Sequence, residues 1–180
     1  MPPPKNKYFQ MTIVRNKSGF LNSFNPVYHM YFSENMNIHV LSAKRKSKGK
    51  KTQYTFSMRK KEFDLNSSNV LAFLFSNVWG TKFKLYSRGK HYDDKKFLEG
   101  KISRKDLRKE LLYIYYDRNF MGWNGPRKMQ IYQPIFNPKK AGFLKIKPTV
   151  REESIEYLSS KFMKTLSKNP EILKSQSKQF

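Results

Sequence analysis

Cysteine is absent from this 180-residue chain, so disulfides, thiolate metal centres and thiol nucleophiles are excluded at the outset. Acidic residues are scarce: 13 Asp and Glu stand against 37 Lys and Arg, a formal net charge of +24. A surplus of that size makes a polyanion the expected partner, whether nucleic acid, an anionic membrane face or a phosphorylated headgroup. No apolar run approaches the ~20 residues that a bilayer-spanning helix needs, and the start, MPPPKNKYFQ, lacks the apolar stretch of a secretion signal. These absences lead to the expectation of an intracellular, soluble chain with no transmembrane segment. The G-x-S-x-G, P-loop and dinucleotide fingerprints are missing too. His29, His39 and His91 are scattered, with none at metal-ligand spacing to another. Neither an enzyme nor a metal or other cofactor is expected.

What the chain does hold is aromatic: 15 Phe, 11 Tyr and two Trp, which bring large buried areas and favour strands. Period-2 alternation between turn signals predicts strands over 8–14, 27–32, 38–43, 53–58, 70–75, 81–86, 111–116, 128–133 and 142–147. The nearly all-apolar Val70–Phe75 reads as a strand covered on both sides. One segment breaks the pattern. Ile155, Leu158, Phe162, Met163 and Leu166 recur at helical spacing, Thr149 and Glu152 have capping-box spacing, and Asn169-Pro170 supplies a stop. This predicts one amphipathic helix near the C-terminus, packed on the exterior of a barrel rather than lying on a membrane. The expected organisation is an N-terminal tail over 1–7, one domain over 8–168 and a frayed tail over 169–180.

The run KRKSKGKK, residues 44–51, has six basic residues in eight and follows an apolar strand directly. Gly49 allows a turn, so the run predicts a hairpin tip whose cations are held on rigid strands. Alternation sets Lys44 and Lys46 on one side and Arg45 on the other. Among residues 1–61 only Glu34 is acidic, against 13 Lys and Arg. Lys44, Arg45, Lys46, Lys48, Lys50 and Lys51 are therefore the candidate anion-binding residues.

Two long motifs then narrow the field. SNVWGTKFKLY places Ser76, Asn77, Gly80, Thr81, Lys82 and Phe83. YDRNFMGWNGPRKM places Asn119, Gly122, Gly125, Pro126, Arg127 and Lys128. In this order the two resemble the C-terminal domain of the tubby-like family, over about residues 8–168. The resemblance implies a mainly β fold, an antiparallel barrel threaded by an apolar helix. Here it is expected to be incomplete, because no later segment is apolar all round. The 119–129 stretch would be a tight structural connection, with Pro fixing φ and Gly permitting positive φ.

The resemblance also implies a function: binding of phosphatidylinositol 4,5-bisphosphate, or another anionic lipid of the cytoplasmic leaflet, through the basic residues of 44–51. Such an adaptor would be cytoplasmic and peripheral at the plasma membrane, with trafficking proteins as partners and the cilium or nucleus as further locations. The family often carries an arginine just before S-N; Phe75 stands there in this chain, and losing one guanidinium–phosphate contact costs about 1.5–3 kcal/mol. The rival readings are a basic nucleic-acid-binding protein and a fragment without function. No recognition helix or aromatic RNA-binding signature supports the nucleic-acid one.

Overall fold

Alternating aromatic, aliphatic and lysine side chains make half-buried strands, and each strand pairs with its neighbour in sequence. The computed structural model describes residues 10–16, 25–34, 37–48, 51–116 and 128–168. Eight antiparallel strands form one meander in chain order: β1 (Met11–Asn16), β2 (Val27–Phe32), β3 (His39–Lys48), β4 (Lys51–Ser57), β5 (Val70–Ser76), β6 (Lys82–Ser87), β7 (Glu110–Tyr116) and β8 (Met129–Tyr132). Among the described residues β1 and β8 are the two outer strands, so the sheet is open and not a closed barrel. A small ribbon of β9 (Phe136–Asn137) and β10 (Gly142–Phe143), a one-turn helix α1 (Lys95–Leu98) and the main helix α2 (Ile155–Lys168) accompany it.

The mainly β class and the single main helix agree with the sequence reading; several boundaries do not. The strand expected over 142–147 shrinks to Gly142–Phe143, with Ile146 making a lone bridge to Glu110. Thr149 caps through Glu153 rather than Glu152: its amide and hydroxyl both donate to Glu153 Oε2, at 2.8 and 3.1 Å. The expected tails, and the connection holding Asn119, Gly122, Gly125, Pro126 and Arg127, lie outside the described residues.

The two faces of the sheet differ. Helix α2 packs against one, near β6–β8, and the core lies there: Val70, Tyr86, Tyr113 and Ile155 are buried, together with Ser42, Thr55, Ser57, Glu110 and Ser159. On the other face the register builds apolar ladders, Ile13–Met30–Leu41, Leu74–Leu85–Leu112 and Phe83–Ile114–Ile131. That open face leaves Ile13 66% and Ile131 52% exposed. Val70–Phe75 is thus not covered on both sides, as its composition had suggested.

Three bulges, in alternate pairs, reset the pleat. Pairing steps from Met30↔Leu41 to Tyr31↔His39, from Phe56↔Ala72 to Ser57↔Val70, and from Leu85↔Leu112 to Tyr86↔Glu110. The extra residues are Val40, Leu71 and Leu111. Each inserted residue exchanges the faces of everything beyond it. His39, Val70 and Glu110 are thereby turned onto the helix face, while Leu71 is left 42% exposed.

Candidate functional site

Most of the basic run is strand, in two strands that pair as a hairpin. β3 continues to Lys48 and β4 begins at Lys51, so Lys44, Arg45 and Lys46 sit opposite Thr55, Tyr54 and Gln53 in a regular ladder. Regular pairing holds the backbone that carries these cations. Lys44 and Lys46 share the helix face with Ser42, and Arg45 shares the other with Tyr54.

A cavity of about 580 Å³ opens beside them. Its walls are Asn25 ahead of β2, Lys44, Arg45 and Lys46 of β3, Gln53 and Thr55 of β4, and Phe63 and Leu65 from the β4–β5 loop. No acidic residue is among them. The Lys44 ammonium stands 5.9 Å from the centre of the Phe63 ring, a cation–π contact. The loop that presents Phe63 is tied by Glu62, which accepts from Ser67 Oγ and, at 2.9 Å, from Asn69 Nδ2. Those hydrogen bonds, Ser67 first, hold the Glu62 carboxyl below its usual range. Asn25 Oδ1 accepts from the Ser47 amide at 3.2 Å, and Pro26 O from the Arg45 amide at 3.1 Å, so the chain entering β2 is stitched to the basic strand. The Arg45 Nε is buried without a hydrogen-bond partner. Chemically the cavity offers cations and neutral donors to an anion, the set that a phosphate group requires.

Of the other candidates, Lys48 and Lys51 pair with each other at the hairpin end, and Lys51 is exposed. Lys50 lies outside the described residues. The S-N-x-x-G-T-K motif is structural. Asn77 Oδ1 accepts from the amides of Thr81 and Lys82 at 2.9 and 3.0 Å, and Asn77 Nδ2 donates to Thr81 Oγ1 at 3.0 Å. Gly80 closes this turn at φ +63°, where other residues are strained. Ser76 Oγ accepts from the Thr52 amide at 3.2 Å, joining the β5–β6 turn to β4. Lys82 forms an ion pair with Glu156 of α2 at 2.9 Å, and Lys84 pairs with the same carboxylate. Phe83 packs edge-on against Tyr116 on the open face. Lys128 is exposed just before β8.

Two arrangements escaped the sequence reading. Arg108 lies with its guanidinium carbon 3.7 Å from the centre of the Tyr86 ring and 5.4 Å from that of Phe75. It reaches there because Gly89 has no Cβ: one would lie 2.7 Å from the Arg108 amide and 2.8 Å from Asp106 O. The second is a hydroxyl between two imidazoles. Ser42, 1% exposed, has its Oγ 2.7 Å from His29 Nδ1 and 2.7 Å from His39 Nε2. The histidines, scattered in sequence, meet because the β2–β3 register and the Val40 bulge bring both to one face.

The fold and its cavity define a mainly β domain built as one antiparallel meander, with a cation-walled pocket at one strand pair and a helix docked at the other end. The chain belongs to the Tub family, whose sequence model matches residues 1–180. It is similar to mouse Tubby-related protein 2, with 33% identity over 86% of this chain and 27% of that protein. Human Tubby-related protein 3 shows 32% identity over 74% of this chain and 30% of its own length. The Protein king tubby of Drosophila sechellia shows 27% identity, over 74% and 28%. The chain thus spans less than a third of the length of these relatives.

Proposed function

We propose that this chain binds the phosphorylated headgroup of an inositol lipid, phosphatidylinositol 4,5-bisphosphate foremost, and acts as a membrane-recruitment adaptor, not an enzyme. The observation that carries the reading is the cavity beside Lys44 and Lys46, with Arg45 between them facing the other way and no acidic residue in its lining. Lys44 and Lys46 supply point charges, Gln53 and Thr55 neutral hydrogen bonds. On the same face, but outside the cavity lining, Arg108 holds a guanidinium over Tyr86 of β6 and Phe75 of β5. Docking on the cytoplasmic leaflet, with trafficking proteins as cargo and the cilium as a destination, follows from the tubby-like resemblance.

Vesicle sedimentation tests this. At matched surface charge, vesicles with phosphatidylinositol 4,5-bisphosphate should bind better than vesicles with phosphatidylserine. A Lys44→Ala/Lys46→Ala variant should lose about tenfold or more in affinity for the former, since each charge-assisted contact contributes about 1.5–3 kcal/mol. Equal binding to both lipids would reduce the cavity to a diffuse cationic patch. Sequence-discriminating DNA binding at physiological salt would favour a nucleic-acid partner instead.

A further inference from the structure

The antiparallel meander places the β3–β4 and β5–β6 turns at the same end of the sheet, and the Thr52 amide to Ser76 Oγ bond ties them together. The β5–β6 turn presents apolar side chains to solvent: Trp79 is 73% exposed and Val78 44%. This is not a loose tip. Asn77 clamps it with three side-chain hydrogen bonds, and Gly80 closes it. Around it, among the described residues, cations predominate, and the nearby Glu156 carboxylate is ion-paired to Lys82 and Lys84. Lys51 and Lys128 are exposed at this end, and residues 44–57 and 70–87 contain no acidic residue. Phe75, paired with Gln53 of the cavity wall, precedes Asn77 by two residues, about 7 Å along the strand. An exposed indole amid cations suits the headgroup layer of an anionic bilayer, where tryptophan's apolar ring and N–H are both accommodated. Polyanions in solution would use the cations but leave the indole in water.

The geometry points to the Val78–Trp79 turn as a membrane-interface anchor, which enters the headgroup region of an anionic bilayer beside an inositide held at Lys44 and Lys46. The second half of that statement rests on the function proposed above; the anchor itself does not. Two weak elements then act as one bivalent contact, because the first to engage raises the effective concentration of the second.

The test uses the full chain with vesicles of phosphatidylcholine containing either phosphatidylinositol 4,5-bisphosphate or phosphatidylserine, and with soluble inositol 1,4,5-trisphosphate. Trp79→Ser should weaken binding to both vesicle types by about tenfold, Trp79→Phe should retain most of it, and neither should alter binding of the soluble headgroup. In a Trp123→Phe background, Trp79 emission should shift to the blue on vesicle binding and be quenched by brominated lipid. Should that background fail to fold, the two Trp79 variants, checked by thermal melting, suffice. Unchanged vesicle affinity in Trp79→Ser, with Lys44→Ala/Lys46→Ala still losing its binding, overturns the anchor and leaves the headgroup site standing. Loss in Trp79→Ser on phosphatidylserine vesicles, with no inositide preference, upholds the anchor and overturns the headgroup site.

Discussion

The His29–Ser42–His39 group shows how much a single side chain's surroundings matter. The Ser42 hydroxyl has one proton and two acceptor sites, so it can donate to one neutral ring and accept from the other. Burial, foremost, holds both histidines below their ordinary value of 6.5; His39 and Lys60 add to this for His29, and Lys60 for His39. The ring centres are 6.0 Å apart, and Lys60 stands over the Tyr31 ring beside them. A lowered folded-state value means that the unfolded chain takes up protons first as pH falls. Stability is then fully present above the unfolded value and declines below about pH 6.5. Glu110, raised chiefly by burial, works in the opposite sense, and His91, lowered chiefly by burial, in the same sense as the pair. We expect the melting temperature to drop between about pH 7 and 5.5, and a His29→Asn/His39→Asn variant to show a flatter profile. An identical profile in that variant would assign the dependence elsewhere.

At the scale of elements, the docking of α2 depends on one carboxylate from the sheet. Glu110 Oε2 accepts from the Ile155 amide at 2.5 Å, capping the first turn of the helix. A buried negative group there also complements the positive end of the helix dipole. Ser154 adds a second cap, its Oγ accepting from the Tyr157 amide at 3.3 Å. Glu156 then bridges Lys82 and Lys84. Burial alone would raise it, but hydrogen bonds from the two lysines outweigh that and hold it below its usual value. The helix's apolar stripe is only partly used: Ile155 is buried, while Leu158 and Phe162 remain exposed. So polar contacts carry an unusual share of the docking. Glu110→Ala should cost about 1–3 kcal/mol, the penalty for a buried donor left without a partner. Glu110→Gln should cost less, because its amide oxygen can still accept. Urea titration followed by helical circular dichroism would compare them; equal losses would show that charge, not capping, matters.

At the scale of the molecule, the open face is the dominant feature. Its ladders of Ile, Leu, Met and Phe have the composition of a core, yet no described element covers them. Met129, Ile13 and Ile131 are half or more exposed. Each large apolar side chain contributes about 1.5–3 kcal/mol when fully buried, against about 5–15 kcal/mol of net stability for a typical domain. Leaving several uncovered removes a large part of that margin. A contiguous apolar face and two sheet edges with no described neighbour also favour association. We expect the 180-residue chain to bind a hydrophobic dye strongly and to associate with increasing concentration, as sedimentation would register. A monomer with a sharp melt and no dye binding would mean that this face is closed by contacts beyond the described ones.

Composition and alternation were enough to determine a mainly β chain, a cationic surface and one amphipathic helix, since those depend on local propensity and residue counts. The motif around Asn77 was legible for a similar reason: its clamp is made within six residues, so the spacing encodes the geometry. The run at 44–51 was legible as a cluster of cations with the correct facing of Lys44, Arg45 and Lys46. Tertiary structure alone decided that Phe63 and Leu65 come from a loop to wall a cavity beside Lys44 and Lys46. It also decided the faces beyond each bulge. An inserted residue at Val40, Leu71 or Leu111 leaves no mark on hydropathy alternation, yet it carries His39 to His29, buries Val70 and delivers Glu110 to the helix. A glycine 19 positions earlier lets the backbone of Arg108 approach closely enough for its side chain to lie over Tyr86. Such pairings depend on register between strands, a property of two segments at once that neither segment's own sequence contains.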